Sequence, residues 1–219
     1  MGSTSLWHDF LDDVHATKSE NTYKSYQNAL RYFKDGSLEE IKAFLGKDLA
    51  DSTKKQTLRI LCIALEYNDM YDKARRKLIK SYRPNIAVQE CPTDKDIELV
   101  WGNLLTHRDR AMFALMAYNG LRVGEVAGLD MDDLLKGNRL MLRNTKGKHD
   151  TIIPLVHPRV LSSLKAYIKE RKGESPALFL NHRGARISSN GLTQLIRNEF
   201  HDNGLDFHAH SLRRYFANT

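Results

Sequence analysis

His210 and Arg213 stand three residues apart in the run His210-Ser211-Leu212-Arg213-Arg214-Tyr215-Phe216-Ala217. In a helix that spacing puts an imidazole and a guanidinium on one face, while Leu212 and Phe216, four apart, hold another face in the core. The preceding Asp206-Phe207-His208-Ala209 reads as a loop, so His210 falls in the first helical turn. Free backbone N–H groups and the positive end of the helix dipole favour an anion there, and a phosphate suits such a corner. Two more basic residues lie beside elements expected to be buried: Arg122 follows an apolar segment, and Lys146 sits at a hairpin tip. Glu125, three residues after Arg122, is spaced to orient its guanidinium. The plainer reading of each is a solvated side chain: an Arg-rich surface helix with a capping His, a glycine-flanked surface Arg, a turn lysine.

The hydrophobic pattern supplies the elements that must position these groups. Residues 6–82 read as all-helical. Trp7, Phe10, Leu11 and Val14 mark a first helix, and Tyr23, Tyr26, Leu30 and Phe33 a second, capped by Ser19 or Asn21. Ser37-Leu38-Glu39-Glu40 reads as a capping box opening a third helix through Leu45, and Asp51 or Ser52 starts a fourth carrying Leu58, Leu61, Cys62 and Leu65. The aperiodic stretch between Pro84 and Pro92 reads as a linker. Beyond it, Thr93 caps a helix with Ile97, Val100, Trp101 and Leu104 inward. Residues 111–118 are apolar on every side, as expected at the centre of a domain, and Asn119-Gly120 stops them just before Arg122. Arg139–Arg143 and Thr151–Val156 flank a turn with lysines at its tip, a β-hairpin. His157-Pro158 opens a helix with Val160, Leu161, Leu164 and Ile168 inward, Ala177–Leu180 is a short buried segment, and Ser188 or Ser189 caps a helix carrying Leu192, Leu195, Ile196 and Phe200. The expected fold is mainly α with a small β-hairpin or sheet, an α+β second domain, in two domains: 1–83, a linker at 84–91, and 92–219.

A formal charge of +7 over 219 residues favours a polyanionic partner. The excess is spread: residues 1–85 carry 15 Lys and Arg against 12 Asp and Glu, the rest 19 against 15. Lys73, Arg75, Arg76, Lys77, Lys80 and Arg83 form an acid-free run suited to tracking DNA phosphates, with a solvated helix face as the plain alternative. No apolar stretch approaches membrane-spanning length. Cys62 and Cys91 show neither metal-ligand spacing nor a disulfide framework, so no metal is expected and a reducing, cytoplasmic setting is. The polar Met1-Gly2-Ser3-Thr4-Ser5 lacks the apolar region of a signal peptide.

Three ordered motifs carry a family resemblance: Asn119-Gly120-Leu121-Arg122-Val123-Gly124-Glu125-Val126, Lys146-Gly147-Lys148-His149-Asp150-Thr151-Ile152-Ile153-Pro154-Leu155, and the His210–Ala217 run. Over roughly residues 92–219 the chain resembles the tyrosine site-specific recombinases, the phage-integrase and Xer family. A looser likeness, resting on Thr22-Tyr23 and Tyr26 and on the helical pattern, extends to that family's N-terminal core-binding domain. The resemblance implies a two-domain C-shaped clamp on double-stranded DNA. It implies catalysis without metal or cofactor, in which Arg122 and Arg213 grip the scissile phosphate and stabilise its pentacoordinate transition state. Lys146 would protonate the departing 5′ oxygen and His210 would assist proton transfer, with Glu125 behind Arg122. Spacing to Pro154-Leu155 favours Lys146 over Lys148. Lys148, Arg183 and Arg186 join the basic run as candidate DNA contacts.

Two departures from the family pattern carry expectations of their own. Arg214 stands where the family usually has a second histidine. The family's nucleophilic tyrosine lies well downstream of the His-x-x-Arg motif, and Tyr215 matches no nucleophile position; it reads as a packing residue. The chain is therefore expected to be a fragment cut off before its nucleophile, a DNA-binding monomer that does not cleave, whereas the full-length parent works as a DNA-assembled homotetramer. The alternatives are a natural short form that occupies recombination sites without cutting, a type IB topoisomerase-like enzyme, and a helical protein adaptor.

Overall fold

A computed structural model describes residues 6–85, 90–143 and 149–219. The chain divides into two units, residues 1–88 and 89–219. Residues 86–89 of the expected 84–91 linker, and both hairpin lysines, Lys146 and Lys148, lie outside the described residues. No helix among the described residues is long and apolar enough to cross a membrane.

Among the described residues the first unit holds five helices: α1 (His8–Thr17), α2 (Glu20–Leu30), α3 (Leu38–Leu45), α4 (Asp51–Tyr67) and α5 (Lys73–Ser81). Their apolar stripes meet in a core of Trp7, Phe10, Ile41, Phe44, Leu58, Leu61 and Leu65, and the Trp7 indole donates to the Phe33 carbonyl at 2.7 Å. Ser19 caps α2. At α3 the capping box forms only by half. Ser37 Oγ accepts the Glu40 N–H at 3.4 Å, but the Glu40 carboxylate reaches past Ser37 to accept the N–H groups of Lys34, Asp35 and Gly36 at 2.9–3.1 Å. Asp35 Oδ1 takes the Ser37 N–H instead. One carboxylate thus accepts three consecutive N–H groups of the turn between α2 and α3. Glu40→Ala strands three donors and is expected to destabilise this unit by about 2 kcal/mol. Urea unfolding followed by Trp7 fluorescence measures that loss.

In α5, Asp72 Oδ1 accepts the Arg75 N–H at 2.8 Å, and the half-buried Leu78 and Ile79 turn inward. Two arginines of the basic run are committed locally. Arg75 binds Asp72 at 2.6 Å and the Gly36 carbonyl at 2.8 Å. Arg83 donates to the Lys80 carbonyl. Arg76 lies over the Tyr71 ring at 5.1 Å. Lys73, Lys77 and Lys80 are exposed with no ion pair among the described residues.

The second unit comprises α6 (Asp94–Asn103), α7 (His107–Asn119), α8 (Val123–Gly128), a 3-10 turn (Met131–Asp133), strands β1 (Leu134–Leu135), β2 (Arg139–Leu142) and β3 (Thr151–Pro154), then α9 (Pro158–Glu170), α10 (Ser189–Asp202) and α11 (Ala209–Asn218). The fold is mostly helical with one small sheet. Its strands run antiparallel in the order β1-β2-β3, with Leu134 opposite Leu140 and Leu142 opposite Thr151. Helix α7 is the central element: Ala111 to Ala117 are all buried, against α6, α9 and α11. Thr93 and Asp96 close a full capping box on α6, His157 caps α9 with Pro158 at its first position, and Ser188 caps α10. Tyr167 is buried too, and its hydroxyl accepts the Leu180 N–H at 3.2 Å, which ties α9 to the 177–180 segment.

Candidate phosphate-binding site

Helix α7 ends where Gly120 adopts a left-handed conformation, φ +63°. Leu121 is buried, and the chain re-emerges at Arg122, the N-cap of α8. An arginine side chain cannot accept a backbone N–H, so the capping comes from the other direction. Glu125 Oε2 accepts the Arg122 N–H at 2.7 Å, and Oε1 accepts from the Arg122 guanidinium at 2.8 Å. One carboxylate thereby closes the helix and aims the arginine. Arg122 remains 63% exposed, and of its five donors only Nη1 is engaged by Glu125.

Helix α11 brings the second arginine to the same turn. Ala209, Ser211 and Leu212 are buried, which seats the helix against α7. Arg213 Nη1 donates to the carbonyl of Gly120, two residues before Arg122. His210 lies in the first turn of α11, exposed, one turn before Arg213. The structure therefore brings Arg122, Glu125 and Arg213 to one corner, with His210 on the same helix as Arg213. Asn119 Nδ2 donates to the Pro154 carbonyl at 3.1 Å, tying the end of α7 to the strand that follows the hairpin loop.

Phe216 departs from expectation. Rather than sharing the core with Leu212, it is 43% exposed and lays its ring over Gly120, so close that a Cβ there would stand 2.2 Å from the ring. Arg186 donates to the carbonyls of Ala127 and Leu129 and to Asp130, which braces the chain behind α8 while its side chain stays 39% exposed. Asp130 also binds Arg143 at 3.2 Å, and Arg143 Nε lies 2.8 Å from Asp133. Arg183 stays exposed in a turn closed by Asn181, whose side-chain oxygen accepts the N–H groups of Arg183 and Ala185 at 2.8 and 3.2 Å.

The Tyr215 hydroxyl donates to Asp94 Oδ1 at 2.7 Å, and burial together with that bond pushes its pKa above the ordinary tyrosine value. Opposed ionisation and a committed proton both disfavour it as a nucleophile. Asp94 escaped the sequence reading, since 121 residues separate it from its partner. His208, the N-cap of α11, is held below the usual histidine pKa by burial and then by the nearby Arg214 guanidinium. Among the described residues no three His, Cys, Asp or Glu side chains gather as a metal-ligand set.

The sequence profile described as the phage integrase family matches residues 93–219. The chain is 27% identical to the tyrosine recombinase XerC of Actinobacillus pleuropneumoniae, across 98% of this chain and 78% of that one. It is 26% identical to the tyrosine recombinase XerA of Pyrococcus horikoshii, across 91% and 73%. Its fold is similar to that of a lambda integrase dimer bound to a core site, with a TM-score of 0.76 at 16% identity over 98% of this chain and 88% of the other. A XerA recombinase crystal structure matches with a TM-score of 0.56 at 19% identity over 97% and 82%.

Proposed function

The chain belongs to the phage integrase family of tyrosine recombinases, enzymes of DNA cleavage and rejoining, and from that membership we propose that its second unit binds duplex DNA around one scissile phosphate. Arg122 and Arg213 take the non-bridging oxygens, His210 adds a hydrogen bond, and Lys146 protonates the departing 5′ oxygen. The observation that carries this reading is the Arg213 bond to the Gly120 carbonyl, because it holds one guanidinium two residues from the origin of the other. Guanidinium donors aimed at a phosphoryl centre stabilise its transition-state charge. A lambda integrase of similar fold is bound to DNA, which supports the same partner here. Lys73, Lys77, Lys80 and Arg183 provide further phosphate contacts. Recombination proceeds on DNA-assembled tetramers, in the cytoplasm.

Residues 1–219 bind DNA in this reading but form no phosphotyrosyl link of their own, since Tyr215 is engaged by Asp94. The test uses a duplex drawn from a random-sequence pool by repeated capture on the chain. Binding is expected to weaken steeply with salt, and Lys77→Ala to lower the log–log slope by about one. A nicked suicide version of the duplex, run on a denaturing gel, is expected to show no covalent adduct. Hydrogen peroxide then supplies a small outside nucleophile. Its hydroperoxide anion bonds to phosphorus, the bond to the 5′ oxygen breaks, and that oxygen leaves with a proton as a 5′ hydroxyl, with no electron transfer. Scission at one phosphate is the expected result. Salt-insensitive binding, an adduct without peroxide, or no scission with it would each contradict the reading.

A further inference from the structure

Helix α11 has ten residues, about 15 Å of length, and its buried side chains Ala209, Ser211 and Leu212 all fall in its first half. Full burial therefore anchors only the start of the helix, and beyond it Tyr215 is partly buried against the core. Beyond Leu212 the attachments include Arg213 on the Gly120 carbonyl, Phe216 on the same glycine, Tyr215 on Asp94 at 2.7 Å and a longer contact of Asn218 Nδ2 with Cys91 Sγ at 3.5 Å. At 100° per residue, Arg213 and Phe216 share one side of the helix while Tyr215 lies about 160° round from Arg213. A helix held on one side only is free to roll; a second tether on a different side removes that freedom.

The far end of the tether is itself well placed. Asp94 and Glu98 stand four residues apart on α6, hence on one face. Glu98 grips the Arg159 guanidinium with both oxygens, at 2.6 and 2.7 Å. Arg159 in turn donates to the Tyr118 hydroxyl at 2.7 Å, in the last turn of α7, two residues before Gly120. Arg159 also lies 4.9 Å from the Trp101 ring centre, and His157 stacks flat on Tyr118 at 3.8 Å. Two carboxylates four residues apart on one helix thus fix the end of α7, from which Arg122 departs, and the second half of α11, the helix that carries Arg213.

We propose that Tyr215 and Asp94 form a positioning pair: their hydrogen bond sets the roll of α11 so that His210 and Arg213 face the turn that bears Arg122. Neither residue touches the phosphate; both act through the alignment of those that do. The pair rests on the reading of Arg122 and Arg213 as phosphate ligands.

Tyr215→Phe removes one hydroxyl and keeps the ring. It is expected to slow peroxide-driven scission about tenfold, the worth of one partly buried hydrogen bond expressed at the transition state. Duplex affinity should stay within about twofold and thermal stability close to wild type. Asp94→Asn retains an acceptor oxygen and should keep most of the rate, while Asp94→Ala should match Tyr215→Phe. The double variant Tyr215→Phe with Asp94→Ala should be no slower than either single, since both remove the same bond. A wild-type rate in Tyr215→Phe, multiplying losses in the double variant, or a rate loss matched by equal losses of affinity and stability would overturn the pair. So would a covalent adduct on Tyr215. Arg213→Ala separates the two levels. If it cleaves normally the phosphate-ligand reading falls, and the pair with it. If it is slow while Tyr215→Phe is not, only the positioning role falls.

Discussion

Arg213→Ala is expected to slow peroxide-driven scission of the selected duplex about a thousandfold while weakening duplex binding less than about tenfold. The asymmetry follows from what the guanidinium does. In the proposed complex its ground-state role is that of one cation among many, with Lys73, Lys77, Lys80 and Arg183 exposed elsewhere on the chain. In the transition state extra charge gathers on one phosphoryl group, and a fork already held by the Gly120 carbonyl meets it without reorganising. Arg122→Ala should fall in the same range, because Glu125 holds that guanidinium in a single orientation. Arg213→Lys keeps the charge but not the planar fork that donates to Gly120 and phosphate together, so it should recover no more than about tenfold of the loss. Rates of scission against affinities, measured on one duplex for all three variants, give the answer. A loss in rate no larger than the loss in affinity would reduce both arginines to ordinary backbone anchors.

Gly120→Ala should be the most damaging single change to the second unit, at about 3 kcal/mol. An L side chain at φ +63° costs on the order of 1–2 kcal/mol. The added Cβ would also lie 2.2 Å from Cδ1 of Phe216, so the ring and the second half of α11 must shift, at roughly 1–3 kcal/mol. The melting temperature of the unit should fall by about 10 °C. Function should suffer more than stability, since the displaced carbonyl is the one that Arg213 uses. Phe216→Ala in the same molecule removes the collision but not the backbone strain, so the double variant should regain about half of the lost stability. Thermal unfolding of the two single variants and the double checks both components. A Gly120→Ala protein as stable and as fast as wild type would mean that this turn has no part in the site.

The features legible in the sequence were those whose cause is local. Ser19, Thr93 and Ser188 cap helices because a hydroxyl reaches an N–H two or three residues on. The segment at 111–118 announced a central helix because apolar residues on every side leave it no solvent face. Arg122 at a turn and His210 in a first helical turn followed from glycine and loop positions. What stayed hidden depends on distant partners or on very short elements. A two-residue strand, Leu134–Leu135, is too brief to show alternation. Arg186 looked like a surface cation, yet its outlets are carbonyls at 127 and 129, nearly sixty residues away. Glu40 fitted a capping box and instead serves the turn before it, because three N–H groups there had no other acceptor. Tyr215 was expected only to pack; that it binds Asp94 depends on how α6 and α11 meet.

The central claim is that Arg122 and Arg213 share one phosphate. A set of selected duplexes, each with a single phosphate replaced by a neutral methylphosphonate, tests it through the affinity cost of Arg122→Ala and of Arg213→Ala on every duplex. The account predicts that both costs disappear at one and the same substituted position, the phosphate cut in the presence of peroxide, and persist at all others. Costs that vanish at two different phosphates, or at none, would contradict it.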